Sequence, residues 1–549
     1  MRMDTSPLRV EKNGGEIRGD SSYLPSRNMG PSSATEHPDE TQPLLAKTAG
    51  DASPSSSSTT STTVCGLSPT LSATALPDPA IRPHAFGGLI SSILVDSVPI
   101  ILSYVLQNSI QTTAVLVAGR LGPDELSAAA FALMLAMVGW CVALGGTTAL
   151  DTLGSQAFTG GDRPSVSIHL QRCLVLLWLL FVPVAFLWAF IEPVLLALGQ
   201  EPRLSYDVQR FLRVLIVGAP GYIGFESVKK YLQCQGIMRA STYVLLMVAP
   251  VNLALNVFFV HYTPLGLLGS ATAISITYWL CFSLLVLVAY HSPTHRSNKT
   301  WAGVHLATVF DLRSCIDFLK LAIPGILMVG TEWAAFEIVA LAAGRLGPLP
   351  LAAQSVIMTT DQILNTIPFG IGVAASTRVG NLIGARKAAA ARQASHASAF
   401  LSVIVGSIVM TVMLVTKDVF GYLFSDDRSV VDLVSKVMPF VASFQIADAV
   451  AGSCGGVLRG QGRQHLGAIF NLVAYYVLAL PLGITVAFHP RTHLGLQGLW
   501  LGQVVALFIV SLGEYSVVWL GTDWDMEVQR GIERNQEEAK RRRIHEGLQ

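Results

Sequence analysis

The sequence predicts an all-α polytopic membrane protein with twelve transmembrane helices in two six-helix lobes. Of its 549 residues, 51% are hydrophobic and 13% are charged, whereas a soluble domain has about 25% charged residues. The apolar residues gather in windows of about 20, the length that crosses a bilayer. The pentapeptide GRLGP at Gly119 returns unchanged at Gly344, a shift of 344 − 119 = 225 residues. An internal repeat of this kind is typical of membrane proteins built from two related bundles.

The chain divides into five predicted segments. Residues 1–83 are polar and rich in Ser, Thr and Pro, which predicts a disordered cytosolic tail rather than a signal peptide. Residues 84–290 form a first lobe and residues 316–520 a second lobe. Residues 291–315 are a cytosolic connector, and residues 521–549 are a charged cytosolic tail. The predicted spans lie near 88–117, 126–150, 172–192, 211–229, 241–262, 266–290, 317–343, 350–374, 398–424, 433–456, 467–488 and 495–519.

The repeat continues through both lobes in the same order. Pro99 corresponds to Pro324 and Thr152 to Thr377 at the same shift, while the later block at Leu232 corresponds to Leu458 at a shift of 458 − 232 = 226. Six spans return the chain to its starting side, so the two lobes enter the membrane in the same direction. The repeat is therefore parallel, with a pseudo-twofold axis along the membrane normal and a cavity expected between the lobes.

Basic residues in the short loops predict that both termini are cytosolic. The predicted inner loops carry Arg163, Arg172, Lys229, Lys230, Arg239, Arg296, Lys299, Arg313, Arg378, Arg386, Lys387, Arg392, Arg459 and Arg463. The predicted outer loops carry Arg120, Arg203, Arg210, Arg345, Lys417, Arg428, Lys436 and Arg491. The sequon at Asn298 then lies inside, and we expect it to be unglycosylated.

Composition and motifs exclude several classes of function. A net charge of +1 gives no basic field for nucleic acid. The sequence contains no Walker A, G-x-S-x-G or H-E-x-x-H motif, so we expect neither an enzyme nor direct coupling to ATP. Seven cysteines without a C-x-x-C pair and histidines without i, i+4 spacing predict no metal site and no bound cofactor.

Acidic residues within the second-lobe spans are candidate functional groups, because a charge at mid-span costs about 2.5–3.5 kcal/mol. They are Glu332, Glu337, Asp361 and Asp448. Glu332 and Glu337 are five residues apart, which turns their side chains roughly 140° from each other on a helix. Protonation would let such acids couple transport to a proton gradient, and a buried hydrogen-bond network that does not titrate is the alternative.

Other polar and aromatic residues are candidates for lining a cavity. Tyr104, Gln107 and Asn108 follow Pro99 at mid-depth in the first span, where interhelical hydrogen bonding is the alternative role. Trp333 and Phe336 flank the acids and offer π faces to an organic cation, or pack in the core. The first-lobe acids Asp96, Asp151 and Glu226 predict caps or interfacial ion pairs.

Several motifs resemble the multidrug and toxic compound extrusion (MATE) family, eukaryotic branch. They are Pro324 with residues 332–337 (EWAAFE), 353–355 (AQS), 373–381 (VAASTRVGN), 455–462 (GGVLRGQG) and, in the first half, 149–158 (ALDTLGSQAF). The resemblance covers roughly residues 88–520. It implies two six-helix lobes around a V-shaped cleft and the export of organic, often cationic, compounds in exchange for protons.

The resemblance also implies residue roles. Glu332 and Asp448 match the family's proton-coupling acids, and Glu337 matches a further acid involved in substrate handling. Asp361 departs from the family pattern, so its candidacy for substrate binding depends on burial alone. Other branches of the family use sodium, and the eukaryotic-like second half favours protons here.

The amino-terminal tail indicates a location. It is similar to the tails of fungal members, and Glu40–Leu45 (ETQPLL) matches an acidic dileucine signal for a sorting adaptor. We therefore favour the vacuolar membrane over the plasma membrane. As a separate expectation, the protein is a monomer. Two other hypotheses stay open: a lipid-linked saccharide flippase, which would require a basic cavity, and a membrane scaffold or receptor that transports nothing.

Overall fold

The computed structural model describes residues 86–424, 427–492, 494–545 and 547. The predicted tail 1–83 and its sorting signal at Glu40–Leu45 lie outside the described residues. The described residues are mostly helical, and none of them lies in a β-strand.

Within the described residues between Phe86 and Trp519, twelve long helical segments follow one another, six in each half of the repeat. Eleven are long and apolar enough to cross a membrane, and the remaining one, α8, has 37 residues and is also long enough. The prediction of twelve helices is confirmed. The segments are α1 (Phe86–Ala118), α2 (Pro123–Thr159), α3 (Ser165–Ala189), α4 (Pro202–Gln233), α5 (Ala240–His261), α6 (Leu267–His291), α7 (Leu312–Leu346), α8 (Pro348–Gly384), α9 (Ala388–Leu423), α10 (Arg428–Gln461), α11 (Gln464–Phe488) and α12 (Leu496–Trp519).

The repeated pentapeptide lies at the junction of the first two helices in each half. In the first half it joins α1, which ends at Ala118, to α2, which begins at Pro123. In the second half it joins α7 to α8, which begins at Pro348. Proline suits the first helical position, because its fixed φ is already helical and its missing N–H needs no partner there. The sequence repeat therefore preserves a helix–helix turn.

A second repeated corner begins the last helix of each half. Gly266 precedes α6 and Gly495 precedes α12, and both glycines have φ of 52°. An L side chain rarely adopts this backbone conformation, which explains the glycine at both positions. The two halves thus share their turns as well as their helix order.

Two long segments depart from regular α-helix. The helix α2 is interrupted at Thr147, and α11 contains a π-helical stretch at Leu472–Ala479. π-helical turns occur frequently at functional sites. The apolar windows of the sequence did not predict either departure.

The connector and the C-terminal segment lie at one end of the bundle, here named the connector end. The connector contains two short helices, Pro293–Asn298 and Leu306–Val309. Arg172 of α3 donates to the carbonyl oxygen of Thr308 at 2.9 Å and pairs with Glu538 at 2.9 Å. Glu538 belongs to a thirteenth helix, α13 (Trp524–His545), within the segment described above as a charged tail.

The two halves are packed together at the connector end. Thr152 of α2 donates to the carbonyl oxygen of Arg459, and Gln156 donates to that of Gly460 at 2.9 Å. A Cβ atom on Gly380 of α8 would lie 2.7 Å from the Cβ of Ser155. Backbones approach this closely only where side chains are absent, so the structure is closed between the halves at this end.

The structure corrects the loop assignment of five basic residues. Arg172, Lys229, Lys230, Arg378 and Arg459 lie within helices and are buried. Without them, the loops assigned to the two sides carry similar numbers of basic residues. At the connector end, α13 adds five acidic residues and six basic ones, which are Arg530, Arg534, Lys540, Arg541, Arg542 and Arg543.

Candidate functional site

Two adjoining cavities lie between the halves and inside the second half. The central cavity has a volume of about 90 Å³ and takes its lining from both halves. The acid cavity has a volume of about 50 Å³ and takes its lining from second-half helices. Both are lined by Val329, Trp333, Asn365 and Phe369, so the two spaces are neighbours.

The predicted coupling acids meet in the acid cavity. Glu332 comes from α7 and Asp448 from α10, and both line the space. Asp448 is 5% exposed and accepts hydrogen bonds from the amide of Asn365 at 3.3 and 3.4 Å. Two helices that are separate in sequence thus bring both carboxyls to one small volume.

The predicted polar residues of α1 line the central cavity. Tyr104, Gln107 and Asn108 face this space from the first half, opposite Trp333 from the second half. The Gln107 amide donates to the hydroxyl of Tyr222 at 3.0 Å. The ring of Tyr104 meets that of Phe369 edge-on, with the ring centres 4.9 Å apart, and Phe369 belongs to the linings of both cavities.

Three predicted residues lie outside the linings of both cavities. Phe336 is buried among second-half rings, 6.2 Å from those of Tyr475 and Trp500. Asp361 is 8% exposed and accepts from the Gln445 amide at 3.4 Å. Glu337 is half-buried, and it does not line the cavity with Glu332, in line with their 140° separation on the helix.

The structure adds two charged residues that the sequence reasoning missed. Glu514 of α12 lines the acid cavity and is 1% exposed. Arg459 of α10 lines the same cavity, with its guanidinium 5.5 Å from the centre of the Phe369 ring. One base, Arg459, thus lies in the same lining as the three carboxyls of Glu332, Asp448 and Glu514.

A second set of buried charges lies in the first half. Lys229 pairs with Glu226 at 2.6 Å and donates to the Gln107 carbonyl oxygen at 3.0 Å. Lys230 pairs with Asp151 at 3.0 Å, and the Nε of Arg459 is 3.8 Å from the same Asp151 carboxylate. The predicted ion pairs of Asp151 and Glu226 are present, but they are buried rather than interfacial. Asp96 is 40% exposed and lies 3.7 Å from Arg378.

Two positions that the repeat relates between the halves lie close to each other within each half. Glu332 corresponds to Gln107 at the shift of 225, and Asp448 corresponds to Tyr222 at the shift of 226 that relates α4 to α10. In the first half this pair is a neutral hydrogen bond, whereas in the second half it is a pair of acids in one cavity. The two lobes share the geometry and differ in its chemistry.

Comparison with known proteins supports the repeat directly. A family model described as MatE matches residues 99–258 and again residues 324–485, which together exceed half of the chain. The second match begins 324 − 99 = 225 residues after the first, the same shift as the pentapeptide.

Relatives and solved structures resemble most of the chain. An uncharacterized transporter of Schizosaccharomyces pombe is 37% identical over 434 residues, which is 78% of this chain and 79% of that protein. Multidrug and toxin extrusion protein 1 of Homo sapiens is 34% identical over 426 residues, or 77% and 74%. The crystal structure of the eukaryotic MATE transporter AtDTX14 superposes with a TM-score of 0.76 and 29% identity, covering 82% of this chain and 99% of that one.

Proposed function

The chain belongs to the multidrug and toxic compound extrusion (MATE) family of membrane transporters, and we propose that it exports organic cations in exchange for protons. The observation that carries this proposal is the meeting of Glu332 and Asp448 in one cavity. That cavity adjoins a second one that both halves line. A transporter needs its substrate site where the two halves meet.

The lining suits an organic cation. Glu332, Asp448 and Glu514 outnumber Arg459 among the charged residues of the two linings, so the space favours positive charge. Tyr104, Tyr222, Trp333 and Phe369 supply ring faces, which attract cations through the ring quadrupole. A lipid-linked pyrophosphate would meet an excess of acids here, and this argues against the flippase hypothesis.

Proton exchange follows from the enclosure of the acids. An ionised carboxylate away from water needs a compensating charge or hydrogen bond. A bound cation supplies that charge, and a proton removes the need for it. We propose that the cation and the protons therefore occupy the Glu332–Asp448 site alternately, while the two lobes rock to open it to one side and then the other.

The proposed sidedness places both termini and the connector in the cytosol. The connector and α13 lie at the same end of the bundle, as this topology requires, and α13 adds basic residues to that end.

With the sorting motif at Glu40–Leu45, we propose a vacuolar membrane, where an acidic lumen would supply the protons. Replacing Leu44 and Leu45 with alanine in a fluorescently tagged chain would move it to the plasma membrane; unchanged vacuolar fluorescence would contradict the sorting proposal.

Transport by the wild-type chain in proteoliposomes tests the proposed function. Ethidium, an aromatic organic cation, should accumulate in vesicles with an acidic interior and fail to accumulate without a pH gradient. A sodium gradient at equal pH should not replace the proton gradient. Equal uptake with and without the pH gradient, or uptake that depends on sodium alone, would contradict proton coupling.

A further inference from the structure

Glu514 lies in α12 and was assigned no role by the motifs of the sequence. Its side chain lines the acid cavity and is 1% exposed. Both of its carboxyl oxygens are buried without a hydrogen-bond partner among the described residues. A buried carboxyl that faces a cavity without a partner indicates a ligand that occupies the cavity during the transport cycle.

Glycines on two other helices make room for this carboxyl. A Cβ atom on Gly467 of α11 would lie 3.0 Å from Oε1 of Glu514, and one on Gly455 of α10 would lie 3.3 Å from Oε2. The terminal carbon of Met328 would lie closer still, 2.5 Å from the Gly455 Cβ and 2.7 Å from the Gly467 Cβ, so this side chain shares the space that the glycines leave. The carboxyl thus lies among glycine backbone and an apolar side chain at the wall of the acid cavity.

The charged and titratable groups around Glu514 come from three helices. Glu332 faces the cavity from α7, Asp448 and Arg459 from α10 and Tyr475 from α11, and Cys454 is buried beside Gly455 on α10. Arg459 approaches the carboxylate of Asp151 at 3.8 Å, so this base is shared between the acid cavity and the first half. The cavity therefore contains more carboxyls than the single Arg459 can compensate.

We propose that Glu514 is a third proton-exchanging carboxyl of the transport site. An ionised carboxylate in this position would lose the hydration of water and gain no hydrogen bond in return. A proton on Glu514 removes that cost, and an organic cation in the cavity offsets it. The site is then a set of three acids on α7, α10 and α12. This inference rests on the proposed function, since it extends the same site.

Proton release on cation binding tests the proposal without transport. Purified protein in a weakly buffered detergent solution is titrated with ethidium, and the released protons are measured with a pH indicator over a series of pH values. Wild-type protein should release protons as the cation binds. Glu514→Gln should release about one proton fewer per bound cation at the pH of greatest release, because a glutamine side chain has no proton to release when the cation binds. Glu201→Gln, the same change at an exposed residue, is the matched control and should behave as wild type.

Two further measurements keep the result decisive. Glu514→Asp retains a carboxyl and should restore most of the proton release. Infrared difference spectra between acid and alkaline protein should show a protonated carboxyl band that Glu514→Gln lacks, and this readout needs no cation. If Glu514 and Arg459 form a permanent ion pair, Glu514→Gln will match wild type in both proton release and spectrum, and the proposal is overturned. If wild type itself binds ethidium without releasing protons, the proposed function fails instead.

Discussion

Lys229 and Glu226 form an ion pair one helical turn apart in α4, and neither side chain is exposed. Lys229 also donates to Gln107 at 3.0 Å and lies 4.1 Å from the centre of the Tyr104 ring. These contacts compensate the ammonium group for its lost hydration. The ion pair therefore helps to position Gln107 and Tyr104, which line the central cavity.

Removing only the acid should destabilise the protein strongly. Glu226→Gln leaves Lys229 as a buried charge without its counter-ion, and breaking a buried pair in this way costs about 3–5 kcal/mol. Thermal unfolding in detergent should show a large fall in the midpoint. The double variant Glu226→Gln/Lys229→Met should recover much of that loss, since it removes both charges. A single variant as stable as wild type would show that the ion pair does not hold α4.

The sequence predicted only part of the site at the level of residues. Glu332 and Asp448 stood out because an acid in an apolar run is costly, and the structure brings them together. Glu514 carries the same signal inside the window 495–519 and was missed. Arg459 was predicted to lie in a loop, since it falls beyond the predicted span 433–456, but the helix α10 continues to Gln461. The side of a helix that faces a cavity depends on how the neighbouring helices pack, which the sequence does not specify. For this reason the sequence did not show that Phe336, Glu337 and Asp361 lie outside the linings of both cavities.

Helices α8 and α10 cross with their backbones in direct contact. A Cβ atom on Gly456 would lie 2.1 Å from the carbonyl oxygen of Gly372, and one on Gly372 would lie 2.2 Å from that of Gly452. The obstacle in each case is backbone, which cannot rotate aside as a side chain can. This crossing holds Asp448 and Arg459 of α10 in place against α8.

Gly456→Ala should therefore destabilise the protein although alanine favours helix. Overpacking a tight contact costs about 1–3 kcal/mol, which exceeds the roughly 1 kcal/mol gained by replacing glycine in a helix. The control is Gly330→Ala in α7, where the nearest atom would lie 3.7 Å away. Thermal unfolding should shift downward for the first variant and stay level or rise for the second. Equal midpoints would show that the crossing relaxes freely.

Helix α13 is attached to both halves by charged contacts. Glu538 pairs with Arg172 of α3 and accepts from the Ser314 hydroxyl of α7, each at 2.9 Å. Burial alone would raise the pKa of Glu538, but the charges of His169 and Arg172, with the hydrogen bonds from Arg172 and Ser314, outweigh burial and hold this pKa below its ordinary value. The contact is thus fully formed when Glu538 is ionised.

The attachment of α13 should weaken in acid. Because the folded pKa of Glu538 lies below the unfolded value of about 4.3, its stabilisation is complete above that pH and is lost as the pH falls through the folded pKa. A nitroxide label on Gln529→Cys, an exposed site of α13, should gain mobility as the pH falls below about 4.3. Glu538→Gln should raise the mobility already at pH 7, whereas Glu537→Gln at a 69% exposed side chain should not. A label that stays equally immobile in Glu538→Gln would contradict this role.

The positions of the helices were easier to predict from the sequence than the residues of the site. Each predicted span falls within or close to one observed helix, because about 20 apolar residues in a row leave the backbone few alternatives to helix in a bilayer. The helix α13 was not predicted as an element, since its charged sequence lacks an apolar run and its order comes from contacts with α2, α3 and α7. The break at Thr147 and the π-helical stretch in α11 likewise depend on neighbouring helices.

At the scale of the whole molecule, one duplicated bundle supplies two unequal halves. The family model matches both halves at the shift found in the pentapeptide, and the repeated corners join corresponding helices in the two halves. The first half compensates its buried acids with Lys229 and Lys230, whereas the second half leaves three carboxyls around one small cavity with Arg459. The duplication of one six-helix bundle therefore accounts for the architecture. The different buried charges of the two halves account for the proposed proton site.

The most direct test of this account is the proton flux that a cation drives through the Glu332 and Asp448 variants. Proteoliposomes with wild-type protein and an internal pH indicator should show a proton flux when ethidium is added. Glu332→Gln and Asp448→Asn should each reduce that flux by at least about tenfold, the effect of losing ~1.4 kcal/mol, while remaining folded and inserted. Glu201→Gln should match wild type. Wild-type proton flux in both acid variants would contradict a transport mechanism based on the acid cavity.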